Sequence, residues 1–394
     1  MDKTKRLWLL LGGVLFVTFF ILGWFGKEVY RQVPPLPESI QSTTGQTLFT
    51  KEDILNGQQV WQSIGGQQVG SIWGHGAYQA PDWSADWLHR ELVNLQDIIS
   101  KREYQKPFAS LQGAEQAAVQ AHLKEEMRTN TYDSAKGLIL VSPERAQAIE
   151  KNIQYYMGLF GDDLAFVKLR DAYALHRSAV PDETRRRSLA TFFFWTSWAA
   201  STDRPGMTST YTNNWPHEPL IDNNPTTANL IWSFISVIIL LAGVGALIWY
   251  KAFTDKEEDL PTPASTDPFN TMPITPSMRA SGKYALIVIA LFVAQSVVGG
   301  VLAHFTVEGN AFYGFPLSDY LPYSIVRTWH IQLAMFWIAT AFLAAGLFLA
   351  PAVGGKEPRF QRLGVNVLFG ALLLVVTGSL VGEWLSIKQV FSLN

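Results

Sequence analysis

Ile325-Val326-Arg327-Thr328-Trp329-His330-Ile331-Gln332-Leu333-Ala334-Met335-Phe336-Trp337 opens an apolar run that continues to about Val353. That is long enough to cross a bilayer as a helix. His330 puts an ionisable ring among hydrocarbon neighbours. Such a residue is costly in a membrane, needs a partner and marks a functional site. Imidazole is also a common axial ligand of haem iron. The stretch therefore predicts a membrane helix concerned with electron transfer.

Working outward, four more apolar stretches have spanning length: Leu7–Phe25, Leu230–Tyr250, Tyr284–Ala303 and Leu363–Leu385. The first follows the basic start Lys3-Thr4-Lys5-Arg6. Its apolar core exceeds that of a signal peptide, and no small-x-small cleavage motif follows in Gly26-Lys27-Glu28-Val29-Tyr30. Residues 1–26 are read as an uncleaved transmembrane anchor. Lys251, Lys256, Arg279 and Lys283 follow the second span, and Lys356, Arg359 and Arg362 follow the fourth. The loop between the third and fourth has no Lys or Arg before Arg327. By the positive-inside rule, residues 27–228 lie outside the cytoplasm, and His304 and His330 sit toward the outer face.

Composition agrees with a chain partly in lipid. Charged residues are 16% of the 394, against about 25% in soluble domains, and there are 14 tryptophans, whose indoles favour the membrane interface. A net charge of −2 gives no electrostatic case for nucleic acid. The absence of cysteine excludes disulfides, thiolate metal sites, cysteine nucleophiles and thioether-linked haem.

Residues 27–228 read as mostly helical. Thr50 and Asp53 form a capping-box pattern before Ile54–Trp61. Ser84 is placed to cap a helix through Leu95 and Ile99. Ser142-Pro143 reads as N-cap and first helical residue, and Pro181-Asp182-Glu183 opens a helix into Phe192-Phe193-Phe194-Trp195-Thr196-Ser197-Trp198. That aromatic end suits the membrane interface, a helical bundle or a domain core equally.

The segment Gly74-His75-Gly76-Ala77-Tyr78-Gln79-Ala80-Pro81 is similar to the region after the haem-attachment motif in the small cytochrome c subunit of bacterial nitric oxide reductases. The attachment cysteines are missing here, which implies a cytochrome-c-like domain without haem. His75 is a loop histidine or a ligand, although its spacing does not match the lost motif. Phe193-Phe194-Trp195-Thr196, Arg204-Pro205-Gly206 and Tyr211-Thr212-Asn213-Asn214-Trp215-Pro216 extend the likeness. The chain resembles the quinol-dependent nitric oxide reductases of the haem–copper oxidase superfamily, over about the N-terminal half of a family member. The fold class expected is mainly α: polytopic membrane helices with a periplasmic cytochrome-c-like domain lacking haem. Residues 1–26 are the anchor, 27–228 that outer domain, and 229–394 the first helices of a haem–copper-oxidase-like bundle in a bacterial inner membrane.

The resemblance implies that His330 is an axial ligand of low-spin haem b and that Arg327 holds a haem propionate. His304 and Glu308, one helical turn apart, resemble the quinol site, for ubiquinol or menaquinol. Asp319 and Tyr323 are further candidates there. Glu383 is read either as a group in proton passage or as an interfacial carboxylate partnered by Lys388. The family couples two nitric oxide molecules to nitrous oxide and water, using a high-spin haem b beside a non-haem iron. Ligands for those centres, and the second low-spin ligand, belong to later helices of the family. The resemblance therefore implies that this polypeptide needs C-terminal membrane helices, in cis or on another chain, to be active. Two other readings of the same residues are a non-enzymatic docking or assembly module and a separate electron-entry subunit.

Overall fold

A computed structural model of the chain describes residues 3–74, 76–77, 79–254 and 265–390. In chain order the first elements are α1 (Lys3–Gln32), β1 (Ser39–Ser42), β2 (Thr47–Thr50), α2 (Lys51–Ser63), α3 (Trp83–Tyr104) and α4 (Ala114–Arg128). Then come β3 (Tyr132–Asp133), β4 (Leu138–Val141), α5 (Pro143–Leu159), α6 (Val167–Ala172), α7 (Glu183–Ser201) and α8 (Thr227–Thr254). The described chain ends with α9 (Pro268–Thr271), α10 (Pro276–Val307), α11 (Leu317–Tyr320), α12 (Tyr323–Gly354) and α13 (Gln361–Ile387). These form two compact units. One comprises Met1–Glu52, Leu88–Ile149 and Trp195–Thr226; the other comprises Asp53–Trp87, Glu150–Phe194 and Thr227–Asn394.

The first unit holds a small sheet of order β2-β1-β4-β3 that helical periodicity did not announce. β1 pairs antiparallel with β2 and parallel with β4, in a register that sets Ile40 beside Ile139. Both side chains are fully buried. Beside the sheet, Leu88, Leu92, Leu95 and Ile99 of α3 meet Val119, Leu123 and Met127 of α4, each set recurring on one helical face. Inside this unit the carboxylate of Glu91 takes a 2.7 Å hydrogen bond from Arg145, and both side chains are buried. Breaking such a pair leaves one charge stranded and costs about 3–5 kcal/mol.

Two helix starts follow the expectation. Arg145 N–H donates to Ser142 Oγ at 3.0 Å before α5, and Arg185 N–H donates to Asp182 Oδ1 at 2.8 Å before α7. The start of α3 differs from it. Asp82, not Ser84, is the cap, accepting from Ala85 N–H at 3.0 Å while Ser84 donates its hydroxyl to the same carboxylate. The other carboxylate oxygen takes Ser71 Oγ at 2.8 Å and Gly74 N–H at 2.7 Å. A carboxylate has room for about four donors, against fewer for a hydroxyl, so it can staple the loop and cap the helix together.

The aromatic end of α7 resolves as core. Phe193 and Phe194 are fully buried in the second unit. Trp83 stacks on Phe193 with centroids 5.4 Å apart and meets Tyr156 and Phe160 edge-on. Trp87 stacks on Tyr156 at 5.2 Å. The Trp83 indole N–H is satisfied by the carbonyl of Val69 at 2.9 Å.

Five helices are long and apolar enough to cross a membrane: α1, α8, α10, α12 and α13. The protein is a multi-pass membrane protein. α8 buries none of its residues. Trp8 and Trp24 on α1, and Trp232 and Trp249 on α8, stand exposed near the two ends of their helices. At 1.5 Å per residue each pair is about 25 Å apart, close to the thickness of a hydrocarbon core. α10 and α12 run antiparallel, since Gln295 meets Trp337 while Phe305 meets Val326. α13 joins them through Leu291, Leu333 and Val376, with the hydroxyl of Tyr284 donating to the carbonyl of Val365 at 2.8 Å.

Trp83→Ala is expected to destabilise the fold by about 3–5 kcal/mol, as removal of a large buried ring does. Trp8→Ala, on an outward face, is expected to change stability by less than about 0.5 kcal/mol. Denaturant midpoints of the two purified variants check the contrast.

Candidate functional site

His330 lies on the face of α12 that meets α10. Its Nδ1 is 3.1 Å from the carbonyl oxygen of Gln295. A carbonyl only accepts, so Nδ1 carries the proton and Nε2 keeps its lone pair. The close approach requires glycine opposite. A Cβ on Gly299 would stand 2.8 Å from Cε1 and 3.0 Å from Nδ1 of the ring. Gln295 is used again two turns along α12, where its side-chain oxygen accepts from the Trp337 indole at 2.7 Å. An imidazole whose Nδ1–H is held by a backbone carbonyl is oriented to offer Nε2 to a metal.

Arg327 stands one turn before His330 and donates from Nη1 to the side-chain oxygen of Gln68 at 2.5 Å. Gln68 belongs to the short 3-10 turn Gly66–Val69. Of the five N–H donors of the guanidinium, the bond to Gln68 engages one.

His304 and Glu308 are brought together. His304 Nδ1 lies 3.2 Å from a carboxylate oxygen of Glu308, with both side chains 41% exposed. The face of the His304 ring is covered by Phe312, nearly parallel with centroids 3.9 Å apart, and Tyr313 stands edge-on to it. Glu308 is the C-cap of α10. The pair joins a proton-accepting imidazole and a carboxylate at the end of a membrane helix, with an aromatic ring stacked alongside.

The other candidates are placed differently. Tyr323 is buried in an apolar cluster with Phe305 and Val326. Glu383 is hydrogen-bonded to Thr328. Lys388, expected as its charge partner, instead donates to the backbone carbonyl of Asp319. The reason is position: Lys388 follows the last residue of α13, where its stem reaches the Asp319 turn. His75 lies outside the described residues, as does Tyr78. Among the described residues no group of three or more His, Cys, Asp or Glu side chains converges to hold a metal ion.

Sequence reasoning missed Gln295, Gly299, Phe312 and His176. The Gly299-Gly300 pair was the available signal for the first two, because adjacent glycines in a membrane helix mark close approach. His176 lines a cavity of about 230 Å³ with Asp162, Arg177, Asp319, Lys388 and Gln389. Burial, and then the charge of Lys388, hold its pKa down to about 4.

Residues 37–217 match the family of the NorB cytochrome c-like domain of nitric oxide reductase. Residues 279–391 match the family described as cytochrome c and quinol oxidase polypeptide I. No curated protein matches the chain. The class is thus an oxidoreductase of the haem–copper oxidase type, for which haem is the cofactor implied. Within that class the chain is a NorB-like nitric oxide reductase protein, carrying a cytochrome-c-like domain and membrane helices.

His176 gives a pH prediction. Above its ordinary value of 6.5 the imidazole is neutral whether the chain is folded or not. As pH falls from there to about 4, the unfolded chain takes up a proton that the folded chain refuses. Stability is therefore expected to drop across that window, and His176→Gln is expected to flatten the drop. Thermal midpoints at stepped pH in detergent check this.

Proposed function

We propose that this chain is the electron-entry part of a quinol-dependent nitric oxide reductase, contributing the quinol site and one axial ligand of a low-spin haem b. The observation that carries the reading is the Nδ1 bond of His330 to Gln295, which leaves Nε2 unprotonated on a ring seated against Gly299. The remaining guanidinium donors of Arg327 suit a propionate. The haem, when bound, supplies one-electron transfer toward the nitric oxide-reducing centre.

Quinol oxidation releases two electrons and two protons. In this reading His304 and Glu308 accept hydrogen bonds from a quinol hydroxyl and take up its proton as the electrons leave. Their exposure lets those protons pass on to water. Asp319 is a secondary candidate in the same loop. Haem b, a high-spin haem b and non-haem iron complete the cofactor set, the last two held by C-terminal membrane helices in cis or on a partner chain. Residues 1–26 anchor the protein in a bacterial inner membrane, residues 27–228 form the periplasmic domain, and residues 229–394 begin the bundle.

In the complete enzyme, His330→Ala is expected to abolish the low-spin haem absorption; an intact band would remove His330 as ligand. Gly299→Val is expected to lower haem occupancy without touching the ligand itself. His304→Ala and Glu308→Gln are each expected to slow quinol-driven turnover about a hundredfold, the scale of lost acid–base assistance. Turnover with an artificial donor is expected to stay near wild type. Equal loss with both donors would sink the quinol assignment.

A further inference from the structure

The pair His304–Glu308 sits where a helix normally frays. Glu308 caps α10, and Gly309 follows with a φ of +88°, a left-handed conformation that favours glycine. The N–H groups of Glu308 and Gly309 both donate to the carbonyl of His304, at 2.9 and 3.2 Å. An exposed carboxylate–imidazole contact contributes little on its own, because water competes for both groups and two side chains must be ordered. Something else must hold the turn if the pair is to persist.

That role falls to a residue far away in sequence. Asp171, near the end of α6, accepts the N–H of Asn310 on Oδ1 at 2.9 Å. The amide side chain of Asn310 donates to the carbonyl of Leu175 at 3.4 Å. A Cβ on Gly309 would stand 2.7 Å from Asp171 Oδ2 and 2.9 Å from Oδ1, so the carboxylate lies directly against the glycine backbone. The turn after Glu308 is thus gripped on its backbone by the α6 segment, while the pair itself is left open. α6 belongs to the cytochrome-c-like stretch and the turn to the oxidase-like stretch.

We propose that Asp171 is a positioning residue for the His304–Glu308 pair, clamping the Gly309–Asn310 turn so that the Glu308 carboxylate stays beside the His304 ring. The cytochrome-c-like domain then has a task at the membrane that involves no redox centre of its own: it sets the geometry of the quinol-accepting groups. This rests on reading His304 and Glu308 as the quinol site.

The test uses the complete enzyme in its membranes, with Asp171→Ala, Asp171→Asn and His304→Ala compared. Hydrogen exchange of the 305–313 segment reports the clamp directly. Steady-state kinetics with a decyl-substituted benzoquinol, and with an artificial donor, report its consequence. Asp171→Ala is expected to speed exchange and to raise KM for the quinol about fivefold, the effect of losing one partly solvated hydrogen bond. Its kcat and its artificial-donor rate are expected to stay unchanged. Asp171→Asn keeps an oxygen acceptor and is expected to restore both readouts. Unchanged exchange or unchanged KM in Asp171→Ala, with His304→Ala still impaired, would overturn the clamp and leave the quinol site standing. Normal quinol oxidation in His304→Ala would overturn the site, and the positioning role with it. Should Asp171→Ala fail to accumulate, Gly309→Ala strikes the same contact from the other side and is expected to raise KM likewise; an unchanged KM there would overturn the clamp.

Discussion

A backbone carbonyl in the middle of a membrane helix is the fixed point of the bundle. Gln295 O has two lone pairs, of which the helix uses one. The second receives His330 Nδ1–H from α12. The side chain of the same residue receives the Trp337 indole, two turns along. One position on α10 therefore sets both the rotation of α12 about its axis and the tautomer of its histidine. In hydrocarbon these bonds have little water to compete with them, so the arrangement is held harder than it would be in a soluble protein. Gly299 is what lets the ring come close enough.

The second unit combines two ways of hiding apolar surface. Its water-facing part closes on an aromatic cluster in which Trp83 and Trp87 are fully buried. Its membrane part leaves most apolar side chains outward, as a lipid solvent permits. Where the two meet, contacts are polar and specific: Arg327 with Gln68, Arg185 with Gln389, and Asp171 with the amide of Asn310. Each draws one partner from the segment matched to the reductase domain and the other from a membrane helix or the loop that follows one.

Much of this was legible in the residues alone. The spans are long and periodicity is not needed to see them. The caps at Ser142 and Asp182 obey local rules that depend on a few neighbouring residues. The His304–Glu308 pair follows from helical spacing alone. What stayed hidden depends on distant partners. The sheet is made of strands of two to four residues, too short to show alternation. Asp82 displaced Ser84 as cap because a loop ten residues earlier needed the same carboxylate. Lys388 turned to a carbonyl across the Asp319 turn, which no charge count reveals. Gln295 acts through its backbone as well as its side chain, so only half of its part could leave a trace in its identity. Phe312 and Asp171 matter through packing and hydrogen bonds formed only once the chain has turned back on itself.

The staple made by Asp82 has a consequence for how the protein is built. In a c-type cytochrome the corresponding stretch is sewn to its prosthetic group by thioethers, which an external enzyme must install. Here a carboxylate gathers Ser71, Gly74, Ser84 and Ala85, and tryptophan and phenylalanine rings fill the interior beside them. Everything that closes this loop is encoded in the polypeptide, so its maturation waits on no ligation machinery and can be finished as soon as the chain has been delivered.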